Sequence, residues 1–148
     1  MTPTFTVLDE SSCEALLQST HVGRLAYTFR DRVDIEPVHY VYRDRWIYGR
    51  MQPGTKVGVL AHHPWVAFEV DDVTGMFDWR SVVVHGRVEF PLRNGPRHEQ
   101  ERAAVAIAQF QTLVPEAFTA DDPTPSRELV FLLPVHEVSG RMARSHAA

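Results

Sequence analysis

The 148-residue sequence predicts a mainly β fold, a closed or nearly closed antiparallel barrel with helices at its periphery. Three observations carry this. Residues 22–29 and 81–90 alternate their side chains at strand spacing. Two charged tight turns, Arg30-Asp31-Arg32 and Arg43-Asp44-Arg45, join runs rich in aromatic and β-branched residues, the pattern of a meander. The strands also follow one another directly, whereas a parallel doubly wound sheet needs strand–helix alternation from the start.

Taken in order, residues 9–20 read as a short helix. Ser11-Ser12-Cys13-Glu14 fits a capping box, and Leu16 and Leu17 supply the apolar face. Strands follow over 22–29, 33–42 and 46–51. Pro53-Gly54 breaks the third strand, and 55–62 forms a short helix. A compact strand covers 65–70, with a loop over 71–75. The strongest strand signal is 81–90, where Val82, Val84, Gly86, Val88 and Phe90 share one face. The one long helix spans 97–114, with Ala103, Ile107, Phe110 and Val114 at 4-3-4 spacing. Residues 119–126 read as a surface loop. A last strand is expected over 128–138, interrupted at Pro134, since proline in a strand marks an edge or a bulge.

Composition bounds the function. The chain carries 15 Lys+Arg against 19 Asp+Glu, a net charge of −4, which argues against a dedicated nucleic-acid binder. Eight Phe, three Trp and four Tyr supply enough burial to exclude a disordered chain. Length fits a single domain over residues 1–148. The lone Cys13 permits neither an intramolecular disulfide nor a cysteine-based zinc site. No apolar run approaches the roughly 18 residues of a membrane span, and the N-terminus lacks a signal-peptide pattern, so no membrane contact and a cytoplasmic location are expected. Neither GxGxxG nor GxxxxGK[ST] is present. For a chain enclosing a large cofactor unaided, 148 residues is short.

Two segments could carry chemistry. In Tyr48-Gly49-Arg50-Met51-Gln52-Pro53-Gly54-Thr55-Lys56, a sharp turn leads into a helix whose first N–H groups point outward. Those donors favour an anion, with Thr55 and Lys56 adding a hydroxyl and a charge and Arg50 in reach of the same anion. A capped helix with a solvated lysine explains the same residues without a ligand. In Asp34-Ile35-Glu36-Pro37-Val38-His39-Tyr40, Pro37 marks a bulge or an open edge, and backbone groups freed there could meet a flat heteroaromatic ring. Plain edge protection accounts for it equally well.

The eight histidines show no His-x-x-x-His pair with an intervening Glu, so no metal site is expected and a metal-dependent hydrolase is disfavoured. His39 and His85, both on expected strands, are the only modest acid–base candidates. Cys13 reads as a packing thiol, and no Gly-x-Ser-x-Gly elbow exists. Phe77-Asp78-Trp79-Arg80-Ser81 sets two aromatics beside a strand, which suggests a contact with a partner subunit or a stacked ring.

The ordered motifs Thr20-His21-Val22-Gly23-Arg24-Leu25-Ala26, Glu36-Pro37-Val38-His39-Tyr40, Ile47-Tyr48, Pro53-Gly54-Thr55-Lys56, Phe68-Glu69-Val70-Asp71 and Trp79-Arg80-Ser81-Val82-Val83-Val84-His85-Gly86 resemble the pyridoxamine-5′-phosphate-oxidase-like flavin-binding split-barrel proteins. Within them the chain is most similar to the nitroimidazole-resistance-like branch. The resemblance covers residues 5–90 well, and the C-terminal third only by its helix-then-strand layout. It implies a six-stranded antiparallel split β-barrel of Greek-key type that forms a homodimer, with one FMN in each of two interface clefts.

Carried over by position, Glu36, Pro37 and Val38 would border the isoalloxazine through backbone groups. Tyr48 and Gly49 would line the middle of the cofactor, and Thr55 and Lys56 would hold the phosphate. Trp79 and Ser81 would approach the flavin at the subunit boundary, with Arg141 a further candidate. Some members carry a His directly after the strand's Tyr; this chain has Gly49 there. The Arg/Trp-rich C-terminal motif of true pyridoxamine-phosphate oxidases is also missing from Gly140-Arg141-Met142-Ala143-Arg144-Ser145-His146. The resemblance therefore implies an FMN-dependent oxidoreductase acting on a small molecule, with a non-catalytic flavin, deazaflavin or haem module as the alternative.

Overall fold

The computed structural model describes residues 2–146, the side chain of Thr55 excepted. In chain order the elements are β1 (Thr4–Val7), α1 (Glu10–Ser19), β2 (Val22–Phe29), β3 (Arg32–Arg43), β4 (Trp46–Met51), α2 (Thr55–His62), β5 (Trp65–Gly75), β6 (Asp78–Arg87), α3 (Arg97–Leu113), β7 (Leu129–Pro134) and β8 (Glu137–Arg144). The strands form one antiparallel sheet of eight, ordered β1-β8-β6-β5-β2-β3-β4-β7. Six of them make the barrel. Just past β6, Glu89 N–H donates to Leu132 O at 2.9 Å and Glu89 O accepts from Leu132 N–H at 2.8 Å, closing the ring against β7. β8 and β1 extend the sheet outward from β6, giving eight strands where six were expected.

Burial follows the two-residue period. Leu25, Tyr40, Phe68, Val82, Val84 and Leu133 point inward and are buried, and Leu16 and Leu17 of α1 join the same core. α3 lies outside the barrel, where Ala103, Ala106 and Phe110 cover Val41, Tyr48, Val130 and Leu132. Cys13 is buried in the core, where burial pushes its thiol up, as fits a packing role.

Four local expectations change. The cap of α1 is Asp9, which accepts from Ser12 N–H at 2.8 Å, because the helix begins at Glu10 and leaves Ser11 inside its first turn. Glu14 instead accepts from the Tyr42 hydroxyl at 2.6 Å. Residues 71–75 are no loop but the end of β5, paired with β6 as far as Gly75↔Asp78. The strand expected over 128–138 is two strands, parted after Pro134. β1 carries too short an alternation to be seen in sequence. No helix among the described residues is long and apolar enough to cross a membrane.

The outer face of the sheet carries exposed apolar side chains. Val33 and Ile35 on β3, Val73 on β5 and Phe5 and Val7 on β1 lie on this one face by register, each at least 63% exposed. By register Val33 and Ile35 lie toward one end of the strands, and Val73, Phe5 and Val7 toward the other, with Arg24, Glu69 and Asp71 between them. Exposed apolar groups of this kind mark contact surfaces.

Candidate functional site

A cleft of about 280 Å³ opens where β3, the end of β4 and the start of α2 meet. Its local cause is a gap in the ladder. β3 pairs with β2 from Arg32 to His39, but with β4 only from His39 onward, so residues 32–38 have one strand edge free. Pro37 sits on that stretch, and Glu36 and Pro37 form one wall. Gln52, Pro53, Gly54 and Lys56 form the other. The N-terminus of α2 has no side-chain cap, and a Cβ at Gly54 would meet nothing within 4 Å. Open space therefore stands over unpaired helix donors, which suits an anion.

The Lys56 ammonium is paired with the Glu36 carboxylate, and this hydrogen bond raises the lysine above its ordinary value. Below them the Tyr27 hydroxyl is pushed up, chiefly by burial and then by the Glu36 charge. Arg127 reaches the rim from the segment before β7. Nothing local in the sequence pointed to Arg127, because the loop that delivers it comes from some 70 residues away and is positioned only by tertiary contacts. Of the two residues expected to hold a phosphate, Lys56 lines the cleft, while the Thr55 side chain lies outside the described residues.

Other expected residues stand elsewhere. Arg50 does not reach the anion site with Lys56. It is buried at 4% exposure, and its Nη2 donates to Asp122 Oδ2 at 2.8 Å and Arg127 O at 2.7 Å. Its guanidinium also lies 3.9 Å from the centre of the Phe118 ring. Tyr48 is buried beneath α3. Gly49 faces the core, where an added Cβ would fall within the Phe131 ring. No histidine fits at that position without displacing Phe131. Gly49→Ala is accordingly expected to cost about 1–3 kcal/mol in denaturant unfolding, the usual penalty of overpacking; an unchanged midpoint would refute the contact. Val38 is buried in the barrel, leaving only its backbone for a ligand.

Trp79 and Ser81 share the outer sheet face with Pro37 but three strand steps away, roughly 14 Å across the sheet, and Arg141 lies four steps away, roughly 19 Å. Trp79 packs against Phe5 with ring centres 6.5 Å apart. Ser81 Oγ donates to Glu69 Oε2 at 2.9 Å, and Arg24 Nη1 lies 3.5 Å from Glu69 and 3.6 Å from Asp71. Burial is the main cause that raises the Glu69 carboxyl. One chain does not bring this group and the Lys56 cleft together. His85 is exposed opposite Glu137, far from the cleft, whereas His39 lies two residues from Pro37 on the same face.

The closed six-strand ring with its lateral cleft defines a split β-barrel protein. The chain belongs to the pyridoxamine 5′-phosphate oxidase family, whose model matches residues 9–142. A relative from Rhizobium meliloti (strain 1021), described as an uncharacterized protein, is 29% identical over 98 residues. That match covers 66% of this chain and 65% of the relative, just under two thirds of its length. The crystal structure of a FAD-binding protein from Mesorhizobium loti is 27% identical, with a TM-score of 0.73 over 95% of this chain and 99% of that one. A candidate 5-nitroimidazole antibiotic resistance protein from Bacteroides thetaiotaomicron shares the fold at 17% identity, with a TM-score of 0.65 over 99% of this chain and 93% of that one.

Proposed function

We propose that this chain is a flavin-binding oxidoreductase that holds FMN at the interface of a homodimer and acts on a small molecule. The observation that carries this is the cleft itself, a lysine beside an uncapped helix N-terminus and a free strand edge. The Mesorhizobium loti relative, named as FAD-binding, supports a flavin. At about 280 Å³ the cleft falls just below the range of about 300–1,000 Å³ usual for ligand sites. The apolar outer face supplies the missing half, since a second copy seated there would add Trp79, Ser81 and Arg141 to a cleft they cannot reach in their own chain.

The residues present fit the group. Lys56 and the α2 donors would hold the phosphate, and backbone groups of 36–38 would border the ring. When bound, a flavin supplies hydride or single-electron transfer, and the protein supplies position and surroundings. The face that buries Val33 and Ile35 against a second copy would exclude water from the ring. A cytoplasmic setting belongs to the same proposal.

The visible spectrum of the purified protein is the direct test. A flavin spectrum that bleaches anaerobically with NADH or NADPH is expected. A flavin that never reduces would make the protein a binding module, and a Soret band would replace flavin by haem. No chromophore after reconstitution with FMN, FAD or a deazaflavin would overturn the proposal.

A further inference from the structure

The outer face of β3 leads somewhere else as well. Val41 lies under α3, Pro37 lies at the flavin cleft, and His39 stands between them. Successive residues on that face are about 7 Å apart. Beside His39 is a second cavity of about 260 Å³, closed by the last turn of α3 and the loop that precedes β7. Its floor is Tyr40, Phe110 and Ala117, all buried, and its rim is Leu113 and Val114, 47% and 38% exposed. His21 and His39 stand together at its polar end.

That polar end is specific in character. No hydrogen bond to another described residue engages either imidazole, while the Tyr40 hydroxyl is already committed to Leu17 O at 2.7 Å. Burial, then the nearby Arg127 and Arg50 charges, hold His39 below its ordinary value, so it is neutral at pH 7 and keeps one N–H to give. The same two cations favour the electron-rich end of a dipole. Arg50 and Thr124 also line the wall, but the Arg50 guanidinium is committed to Asp122 and Arg127 O and the Thr124 hydroxyl to Asp122. The remaining wall is aromatic or aliphatic.

We infer that this cavity is the substrate subsite adjoining the flavin cleft, and that it takes a compact, ring-sized, mainly apolar molecule with one hydrogen-bond acceptor directed to His39. The inference rests on the flavin proposal for the adjoining cleft. Size agrees, since a space of this volume takes one small ring and its substituent.

Acetophenone, with toluene as the control lacking an acceptor, tests it on the FMN-loaded protein by NMR titration and by the visible spectrum. Acetophenone should shift the amides of 39–41 and 110–117, perturb the flavin band, and bind on the order of 5-fold more tightly than toluene, the scale of one net hydrogen bond. His39→Phe should abolish that preference while toluene still binds. Val114→Trp, a rim substitution, should block both probes and leave FMN loading unchanged. FMN loading with no shift at these amides, or a preference that survives His39→Phe, would overturn the subsite and leave the flavin proposal standing. Acetophenone binding in a protein that takes no flavin would overturn the flavin proposal, and with it the role as a flavin-side subsite.

Discussion

Asp122→Ala is expected to destabilise the protein by about 3–5 kcal/mol, the cost of leaving a buried cation without its partner. Arg50 and Asp122 have side chains only 5% and 3% exposed, so water cannot take the place of the lost carboxylate. The carboxylate does more than balance charge. It also accepts from Phe118 N–H at 2.7 Å and Thr124 N–H at 2.9 Å, and so holds the loop before β7 in shape. Denaturant unfolding measures the loss, and a change below about 1 kcal/mol would show that the pair is dispensable. Acid should act on the same group. The Arg50 guanidinium holds the Asp122 carboxyl well below the usual carboxylate range. A folded-state value below the unfolded one, near 4, means that its contribution is complete above that pH and is lost as pH falls below it. Wild type should therefore lose stability more steeply below about pH 4 than Asp122→Asn.

Lys56→Ala should weaken FMN by about 1.5–3 kcal/mol, roughly 10- to 150-fold in Kd, the scale of a charge-assisted hydrogen bond. Fluorescence quenching on titration reads this directly, and an unchanged Kd would remove Lys56 from the phosphate site. The ion pair adds a second arm. Glu36 neutralises the lysine before any phosphate arrives and would stand as a like charge beside it afterwards. Glu36→Gln keeps the backbone proposed to border the ring while releasing Lys56, so FMN should bind more tightly by a few fold. Weaker binding would instead make Glu36 the residue that positions the ammonium.

The parts of this protein legible in sequence are those fixed over short distances. Alternation placed β2 and most of β6, the charged turns between aromatic and β-branched runs placed β3 and β4, and Pro53-Gly54 placed the turn into α2, because each signal is local. Residues 88–90, expected in the same strand as 81–87, lie beyond the end of β6. Pro37 was ambiguous in the same way for a reason the structure makes plain. Whether its missing N–H matters depends on whether β4 reaches that far, and β4 stops at the His39↔Arg50 pair. Arg50 was misplaced because its position beside Lys56 in sequence says nothing of Asp122, which approaches it from 72 residues away. Tyr48 and Gly49 alternate faces as any strand does. What sequence could not supply is that α3 covers one face there and Phe131 fills the other.

The ring closure has a mechanical side. Around most of its circumference the cylinder is held by ladders several residues long, but between Glu89 and Leu132 it is clasped by two hydrogen bonds. A cuff gives at its clasp. The Glu89 and Leu132 amides should thus exchange with solvent through openings that leave the rest of the wall intact, well before the core amides of β5 and β6. A barrel clasped in this way should widen along one line without unwinding, less a rigid tube than a spring band.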